Sequence, residues 1–280
     1  MKTSSGMTKR LAVGALAIGA ALSWAGASNA AERNSILERH QSWSAFTERW
    51  KDFADNNVRL IDFELIQDEG KTWYLGVWQP GTGGYALYRN TSWSGFTDKW
   101  DELSKQNLRL ISMDVTRIAN TTWYTGVWRA GSDAHALYSF DSWSTFTDKW
   151  KELAGQNLRL MNVDVSRVGN DTWYTGMWRA GAGSYSLYRY TSWPAFTEKW
   201  KDETGKGRRL ISIGVAPEGS GASYTGAFVG GSGAYSLFNF DNWQDMLKKW
   251  LELDQKGQKL IDIEAAKVGG DVRYVGVWRE

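Results

Sequence analysis

Carboxylate residues recur at one position of a sequence pattern that repeats every 50 residues. The recurring residues are Glu64, Asp114, Asp164 and Glu264. Asp62 and Asp262 precede two of them by two residues, so alternation along a β-strand would put all six carboxylates on one face. If that strand were the innermost of each repeat, the acids would converge, as a glycosidase acid–base pair or a Ca²⁺ site requires. The alternative is that each acid pairs with an arginine of a neighbouring repeat, such as Arg59, Arg109 or Arg159.

Indole and guanidinium groups form a second recurring set. Together with the four acids above, the candidate ligand-binding residues are Trp73, Trp123, Trp173, Arg129, Arg179 and Arg279. Aromatic rings beside arginine and carboxylate groups suit the faces and hydroxyls of sugars, and equally an extended peptide. The fourth copy lacks all three kinds of residue and has Ser223, Val229 and Gly214 in their places. Either that copy is degenerate or it has lost one of several equivalent ligand sites.

Other positions are filled in every copy, and we expect them to serve packing. Trp43, Trp50, Tyr74 and Gly76 each begin such a series of five. A residue that is needed wherever one repeat packs on the next must be present five times. Glycine inside a strand marks a place where backbone or an aromatic ring approaches closely.

The sequence contains no recognisable nucleophile or cofactor motif. The patterns GxSxG and HExxH and the phosphate-binding and dinucleotide-binding loops are all missing. His40 and His135 stand where most other copies have an aromatic residue, so we interpret both as aromatic substitutions. We therefore predict no catalytic residue, no metal ligand and no cofactor, with glycoside hydrolysis and cation binding by the acids as the alternatives.

Residues 1–30 have the pattern of a secretory signal. A positively charged start is followed by an apolar run at 11–27 and by small residues at 28–30 that suit cleavage. An uncleaved membrane anchor is the alternative, since a run of this length is at the short end of what spans a bilayer. No second apolar run follows, so the sequence predicts a secreted or periplasmic protein with no membrane association after cleavage.

Charge and cysteine content exclude several classes of partner and site. Cleavage would remove three basic residues and no acid, which takes the formal net charge from +2 to −1. Such a chain has no electrostatic footprint for nucleic acid or for anionic lipid. The chain has no cysteine, so disulfides and thiolate metal sites are excluded. Stability must come from packing, for which the chain has 18 Trp, 12 Tyr and 10 Phe.

A helix and three strands are predicted for each copy. The apolar residues from Trp43 to Phe53 recur at i, i+3, i+7 and i+10, which is the helical period. Ser42 is a suitable N-cap and Asn57 a suitable left-handed residue after the helix. Three short strands joined by Gly-, Asn- and Asp-rich turns follow, which predicts a three-stranded antiparallel meander. Residues 31–280 are thus predicted to form one domain of five repeats, starting near 43, 93, 143, 193 and 243.

The two ends of the repeat region predict a closed ring. The fifth copy stops at Glu280 without its last strand, whereas residues 36–39 hold the register of such a strand before Trp43. A ring that uses its first strand to complete its last repeat explains this split, whereas an open solenoid does not. We therefore predict a mostly β, five-bladed, propeller-like ring with one short helix per repeat, in which the N-terminal strand completes the last blade.

The motif itself resembles a known family. The unit SWxxFTxKWxxLxxQNLRL, followed by WYTGVWRAG and ALY, is similar to the bacterial tandem-repeat domain of about 50 residues found in secreted bacterial proteins and in the N-terminal half of fungal polyglycine hydrolases. The likeness covers residues 35–280. It implies a β-propeller-like recognition half, because in those hydrolases a separate β-lactamase-like domain performs the chemistry. The Ser-x-x-Lys pair of that domain does not occur in this chain, so no catalytic residue is carried over.

The main hypothesis is a non-catalytic binding protein. Quasi-equivalent Trp, Arg and acid sites on a rigid ring would recognise a carbohydrate, a cell-wall component or an extended peptide, with avidity from several weak sites. A propeller-type glycoside hydrolase that uses the ring of carboxylates is the first alternative. A structural or assembly protein is the second.

Overall fold

The computed structural model describes residues 33–280, so the signal predicted for residues 1–30 lies outside the described residues. The described part contains five helices: α1 (Trp43–Asp55), α2 (Trp93–Lys105), α3 (Trp143–Gly155), α4 (Trp193–Gly205) and α5 (Trp243–Gln255). It also contains fifteen strands: β1 (Ile36–His40), β2 (Val58–Asp68), β3 (Lys71–Pro80), β4 (Tyr85–Asn90), β5 (Leu108–Ile118), β6 (Thr121–Ala130), β7 (His135–Phe140), β8 (Leu158–Val168), β9 (Asp171–Ala180), β10 (Tyr185–Tyr190), β11 (Arg208–Glu218), β12 (Gly221–Gly230), β13 (Tyr235–Phe240), β14 (Lys259–Val268) and β15 (Asp271–Arg279). None of the helices within 33–280 is long and apolar enough to cross a membrane.

Each repeat consists of a strand, a helix and two further strands, and its three strands form one sheet. In the first repeat, β1 and β2 pair with the two edges of β3, both antiparallel to it. The other sheets have the same order: β4-β6-β5, β7-β9-β8, β10-β12-β11 and β13-β15-β14. The predicted class of five mainly β repeats with one helix each is therefore confirmed.

The helices begin and end as the sequence predicts. Ser42 caps α1, since its hydroxyl accepts the backbone N–H of Ala45 at 3.2 Å. The equivalent caps are Ser92, Ser142, Ser192 and Asn242. Asn57, just after α1, has φ 57°, a left-handed conformation that asparagine and glycine adopt more readily than other residues. The same role falls to Asn107, Asn157, Gly207 and Gly257.

A buried indole fills the centre of four of the five repeats. Trp78 is fully buried, and its ring centre lies 5.4 Å from that of Phe46 on α1. Gly76, on the same face of β3, leaves the room for this ring, because a Cβ there would overlap it. The same pair recurs as Gly126 with Trp128, Gly176 with Trp178 and Gly276 with Trp278. The prediction that backbone or an aromatic ring approaches these glycines closely is confirmed, and the group is an aromatic ring.

The prediction that the N-terminal strand completes the last repeat is wrong. β1 pairs with β3 of its own repeat, so Leu37 lies opposite Val77 and not opposite Val277. Glu38 on β1 also forms an ion pair with Arg49 of α1 at 2.8 Å, and the fifth sheet is already complete with β13. A period of 50 residues does not say where a repeat begins. If each repeat is taken to begin at its helix, the boundary between repeats falls one strand too late.

The predicted three-stranded meander is wrong for the same reason. β2 and β3 form a hairpin, but the loop after β3 leads to the next sheet, where β4 pairs with β6. Backbone hydrogen bonds connect that loop to both the first and the second repeat. Gly81 N–H donates to Asn57 O at 2.7 Å in the first repeat, and Gly84 O accepts from Ala130 N–H at 2.8 Å in the second.

Side chains, rather than a shared backbone ladder, connect the repeats. Within residues 33–280 the five sheets are separate hydrogen-bonded units. The strands that follow the helices contact one another in chain order, and we call them the inner strands: β2, β5, β8, β11 and β14. β14 of the fifth repeat also contacts β2 of the first.

We predict that Gly126→Ala destabilises the protein by about 1–3 kcal/mol, because the added Cβ would overlap the Trp128 ring and lie 2.7 Å from Leu110 Cδ1. Urea unfolding followed by circular dichroism measures the change. The matched control is Gly155→Ala at the end of α3, where a Cβ meets no atom within 4 Å. That control should be neutral or stabilise by up to about 1 kcal/mol through helix propensity. Equal stability of the two variants would contradict the packing described for Gly126.

Candidate ligand-binding site

The interface between consecutive repeats carries a set of aromatic and cationic side chains, which we call a junction. Between the first and second repeats the set is Trp43, Tyr74, Arg89 and Trp123. The guanidinium carbon of Arg89 lies over both indoles, 4.3 Å from the ring centre of Trp43 and 3.9 Å from that of Trp123. Arg89 Nη1 also donates to the hydroxyl of Tyr74 at 3.2 Å. Such cation–π contacts hold the planar cation with its faces toward the rings.

The junction between the fifth and first repeats has the same composition. Arg39 lies 3.9 Å from the ring centre of Trp73 and 4.9 Å from that of Trp243. Its Nη1 donates to the Tyr274 hydroxyl at 3.4 Å, and that hydroxyl donates to Asp68 Oδ2 at 3.2 Å. Burial, and then the negative charge of Asp68, raise the pKa of Tyr274 above its ordinary value. Two junctions are therefore closed by an arginine of the chain itself.

Strand register and helix capping place these groups. Trp123 lies opposite Thr116 on the neighbouring inner strand, and Arg89 lies opposite Thr125 at the other edge of β6. Trp43 is the first residue of α1, directly after the Ser42 cap. The repeat pattern does not single out this arginine, because only three of the five copies have one at that position. The available signal was the recurrence of arginine at 39, 89 and 189, four residues before each helix begins.

The other three junctions each lack one or two members of the set. Their residues are Trp93, Tyr124, Ser139 and Trp173; Trp143, Tyr174, Arg189 and Ser223; and Trp193, Tyr224, Asn239 and Arg273. Arg189 forms an ion pair with Glu218, and Arg273 Nη1 forms one with Asp241 Oδ1 at 3.2 Å. The five junctions therefore share a helix tryptophan and a strand tyrosine, but they differ in their other two residues.

The predicted arginines lie away from the predicted tryptophans. Arg129 Nη2 donates to Thr82 O at 3.3 Å, and burial lowers the pKa of Arg129, as does nearby Arg59. Arg179 binds Asp133 with two hydrogen bonds of 2.9 and 2.6 Å, and burial lowers the pKa of Arg279. On β6 and β9, which carry both, the tryptophan and the arginine are six residues apart, about 20 Å along an extended chain. The structure therefore does not bring Trp, Arg and acid together in one site.

The predicted acids lie on the inner strands and bind backbone. Each accepts an N–H from the inner strand of a neighbouring repeat. Leu65 N–H donates to Asp114 Oδ1 at 3.3 Å, and Val115 N–H donates to Asp164 Oδ1 at 3.2 Å. The remaining two bonds are Val215 N–H to Glu264 Oε2 at 3.3 Å and Ala265 N–H to Glu64 Oε2 at 3.4 Å. All four acids are at most 9% exposed. Buried backbone donors need an acceptor, and these carboxylates supply it.

A second tier of side chains, two residues earlier, does the same. Ser112 and Ser212 accept from Phe63 N–H at 3.3 Å and Val163 N–H at 3.0 Å. Asp262 accepts from Ile213 N–H at 3.0 Å, and Asp62 accepts from Ile263 N–H at 2.7 Å. The last of these bonds joins the first repeat to the fifth.

The fourth repeat lacks its acid for a steric reason. A Cβ at Gly214 would lie 2.6 Å from Val165 Cγ2 and 3.1 Å from Val163 O, because β11 approaches β8 too closely for any side chain. The packing of β11 on β8 therefore has no room for an acid at position 214.

The expected ion pairs between the acids and Arg59, Arg109 and Arg159 are not formed. Arg59 Nη1 instead donates to Ala54 O at 2.7 Å, at the end of α1. Arg109 and Arg159 bind the equivalent carbonyls of Ser104 at 3.1 Å and Ala154 at 3.0 Å. Arginine near a helix C-terminus satisfies carbonyls that have no partner within the helix.

The inner strands surround a cavity of about 160 Å³. Its wall includes the four acids and, toward solvent, the cations Arg117, Arg167 and Lys267. Asp114 Oδ2 and Asp164 Oδ2 are buried and have no hydrogen-bond partner among residues 33–280. Each of these acids thus binds backbone with one oxygen and leaves the other available for a proton.

Burial raises the pKa of these carboxyl groups. It raises the pKa of Asp164 to about 7, although the N–H of Val115 acts in the opposite direction. The pKa of Glu64 lies well above its ordinary value, first because of burial and then because Glu264 and Asp114 repel its charge. The acids are therefore suited to holding protons near neutral pH and to joining strands.

We predict that stability falls as the pH rises from about 4 to about 7. Asp164 binds its proton more tightly in the folded than in the unfolded chain, so its contribution is fully present below pH 4 and is lost as the pH passes its folded pKa of about 7. Asp164→Asn keeps an oxygen for Val115 N–H and cannot ionise. Relative to wild type it should become more stable with rising pH, by up to about 4 kcal/mol at pH 8.

Urea unfolding at pH 4 to 8 measures this difference. Asp148→Asn is the matched control, because Asp148 lies on the exposed face of α3, where its pair with Lys151 has a small effect. A difference between Asp164→Asn and wild type that does not change with pH would contradict a raised pKa for Asp164.

Comparison with known proteins identifies the repeat. The sequence profile of a family described as "Polyglycine hydrolase-like, structural repeat" matches residues 82–130, 141–180 and 242–280. These segments contain most or all of the second, third and fifth repeats, and they confirm the resemblance inferred from the tryptophan spacing. No curated protein matches the chain. Among residues 33–280, no group of three or more His, Asp or Glu side chains is arranged to hold a metal ion.

Proposed function

We propose that this chain, which belongs to the polyglycine hydrolase-like structural-repeat family, is a non-catalytic binding protein for an extended peptide or a carbohydrate. Its sites would be the quasi-equivalent junctions between repeats. The observation that carries this proposal is the recurrent pair of indoles, one from the start of a helix and one from a strand of the next repeat. Trp93 and Trp173 form one such pair, and both rings are only partly buried.

The junctions suit recognition for a physical reason. Indole faces bind sugar rings, planar cations and peptide groups through apolar contact, while the Tyr hydroxyl and the Arg guanidinium supply directional hydrogen bonds. Several junctions on one rigid body can engage a repetitive ligand together, which raises the overall affinity without any new contact.

The position of the acids favours binding over glycoside hydrolysis. A glycosidase needs two carboxyl groups that reach the substrate from either side of the scissile bond. Asp114 and Asp164 each use one oxygen to hold a neighbouring inner strand, and the cavity beside them, at about 160 Å³, is smaller than the pockets that bind drug-sized ligands. Hydrolysis by the ring of acids is therefore the weaker candidate.

We also propose that the five repeats close into a propeller-like ring. Three contacts between the first and fifth repeats support closure. Asp62 accepts from Ile263 N–H at 2.7 Å, Trp250 Nε1 donates to Ser35 Oγ at 3.1 Å, and Ser35 N–H donates to Asp254 Oδ1 at 2.9 Å. Closure of this kind needs no strand shared between the ends, because side chains make every contact.

Ser35→Ala tests closure. Ser35 Oγ accepts from Trp250 Nε1 and from Leu260 N–H, both at 3.1 Å, so its removal leaves two buried donors without a partner. We expect a loss of about 2–4 kcal/mol of unfolding free energy, at about 1–2 kcal/mol for each donor. The matched variant is Ser212→Ala, which removes two similar bonds between the third and fourth repeats. If Ser35→Ala left the free energy of unfolding unchanged while Ser212→Ala lowered it, the first and fifth repeats would not be joined in solution.

We also propose where the protein acts, and we keep a structural role as an alternative to ligand binding. The sequence of residues 1–30 supports export, so we propose a secreted or periplasmic protein that meets its ligand outside the cytoplasm. A structural or assembly protein remains the other candidate, and it predicts a protein partner and no small ligand.

Binding arrays test the proposed function. We expect residues 31–280 to bind members of a peptide or cell-wall glycan array, with Trp173→Ala weakening that binding at least about tenfold through loss of one aromatic contact. Lys151→Ala, on the exposed face of α3, is the control and should bind like wild type. Absence of binding on both arrays would contradict recognition, and turnover of a bound glycan would contradict a non-catalytic role.

A further inference from the structure

We propose that the junction between the second and third repeats binds the guanidinium group of an arginine side chain supplied by a partner polypeptide. This inference deepens the proposed binding function and rests on it. It commits to one junction and one chemical group. The residues concerned are Trp93, Tyr124, Ser139 and Trp173, which we call the open junction.

Two other junctions show what the open junction lacks. In each of them an arginine of the chain lies over two indoles and donates to a tyrosine hydroxyl. The arginines are Arg89 and Arg39. At the equivalent position the third repeat has Ser139, whose hydroxyl lies 2.8 Å from Thr175 Oγ1 at the edge of the strand. A serine is too short to reach the space between the rings.

The helix tryptophan, the tyrosine and the strand register around the missing group are unchanged. Trp93 lies 5.8 Å from Tyr124 at an interplanar angle of 57°, and Trp43 lies 5.9 Å from Tyr74 at 53°. The strand tryptophan also keeps its register, since Trp173 lies opposite Ser166 just as Trp123 lies opposite Thr116. The same holds for Ser139, which pairs with Thr175 as Arg89 pairs with Thr125.

Nothing else in the described part of the chain fills the open junction. Among residues 33–280, no cation lies over the ring of Trp93 or Trp173. Trp73 and Trp123 pack against hydrophobic clusters of the adjacent repeat, but Trp173 joins none of the clusters in residues 33–280. Tyr124, the counterpart of the tyrosines that accept from Arg39 and Arg89, has no hydrogen-bond partner for its hydroxyl within that range. The three groups that would hold a guanidinium are therefore present and unused.

The open junction is alone in this respect. The remaining two junctions have Ser223 or Arg273 in place of the strand tryptophan, so neither offers two indoles. The position of Arg273 adds a second argument, because that side chain forms an ion pair with Asp241. The third repeat has Asp141 at the position equivalent to Asp241. A cation beside Trp173 would thus have a carboxylate in reach.

The chemistry selects arginine over other groups. A guanidinium is planar, is weakly hydrated on its faces and carries donors at its edges, so it stacks between two rings and still reaches a tyrosine oxygen. A lysine ammonium has no faces to stack. The chain itself places an arginine between the two indoles of both complete junctions. This is the most direct indication of which group fits between such indoles. Expected affinity for one isolated side chain is in the range of about 1–10 mM, and further contacts of a polypeptide would strengthen it.

Titration with N-acetyl-arginine amide tests the proposal. We expect the indole N–H resonances of Trp93 and Trp173 to shift with saturation in two-dimensional NMR. N-acetyl-citrulline amide has the same shape without the charge and should bind at least about tenfold more weakly. Binding of the two probes with equal affinity, or no shift up to 50 mM arginine amide (roughly five times the weakest constant expected), would overturn the proposal.

Ser139→Arg supplies the cation from within the chain. We expect this variant to fold like wild type and to lose the response to arginine amide, because its own guanidinium occupies the rings. Asn239→Arg is the matched control, since it introduces the same residue at the equivalent place of a junction that lacks the second indole; it should respond like wild type. An unchanged response in Ser139→Arg would overturn the proposal, whichever residues the probe contacts.

Failure of this inference and failure of the proposed function can be told apart. Array binding that does not depend on arginine, together with no NMR response, would overturn the open junction and leave the binding function standing. A response of Trp173 to arginine amide without any array binding would support the open junction and contradict multivalent recognition.

Discussion

The open edges of the inner strands are the constraint on which the rest of this structure depends. Each inner strand is paired on one edge only, so the N–H groups of its other edge must find acceptors inside the protein. Side chains of the following repeat provide them, through carboxylates such as Asp114 and hydroxyls such as Ser112. The same contact explains why acids recur at one position, why they are buried, and why their pKa values are raised. It also explains Gly214, where the strands are too close for any side chain.

Because the inner contacts are nearly uniform, the outer contacts are free to differ. The inner strands set the distance between successive repeats, and that distance places the two indoles of each junction. The residue between them is then variable: Arg89 in one junction, Ser139 in the next, Asn239 in another. A regular interior with a varied periphery suits a protein that recognises its ligand with several similar but unequal sites. It suits catalysis less well, since catalysis needs one site with residues found nowhere else.

Much of the local structure could be predicted from the sequence, because it depends on residues close together in the chain. The helix from Trp43, its Ser42 cap, the left-handed Asn57 and the crowded Gly76 all follow from short-range chemistry. The frame of the repeat could not be predicted, because a periodic pattern reads the same from any starting point. That ambiguity produced the wrong pairing for the N-terminal strand.

The candidate site was predicted only in part, for a related reason. Trp73 and Trp123 do lie at junctions. The arginines that stack on them lie on the strand before each helix, and the predicted repeat boundary assigned that strand to the preceding copy. Arg129 and the acids share a strand or a sheet with the tryptophans and still lie elsewhere, since strand length separates their ends. Sequence recurrence identifies which residues matter to every repeat. It does not say which of them meet.

The pairing of β1 with β3 has a consequence for how such chains arise. Within residues 33–280, each sheet consists of three strands that are consecutive in the sequence, and none of these strands pairs with another sheet. A gene duplication that copies one stretch therefore adds a finished module, and a deletion removes one without leaving an unpaired strand behind. The number of modules can therefore change in whole steps, with the side chains of the inner strands making each new contact between modules.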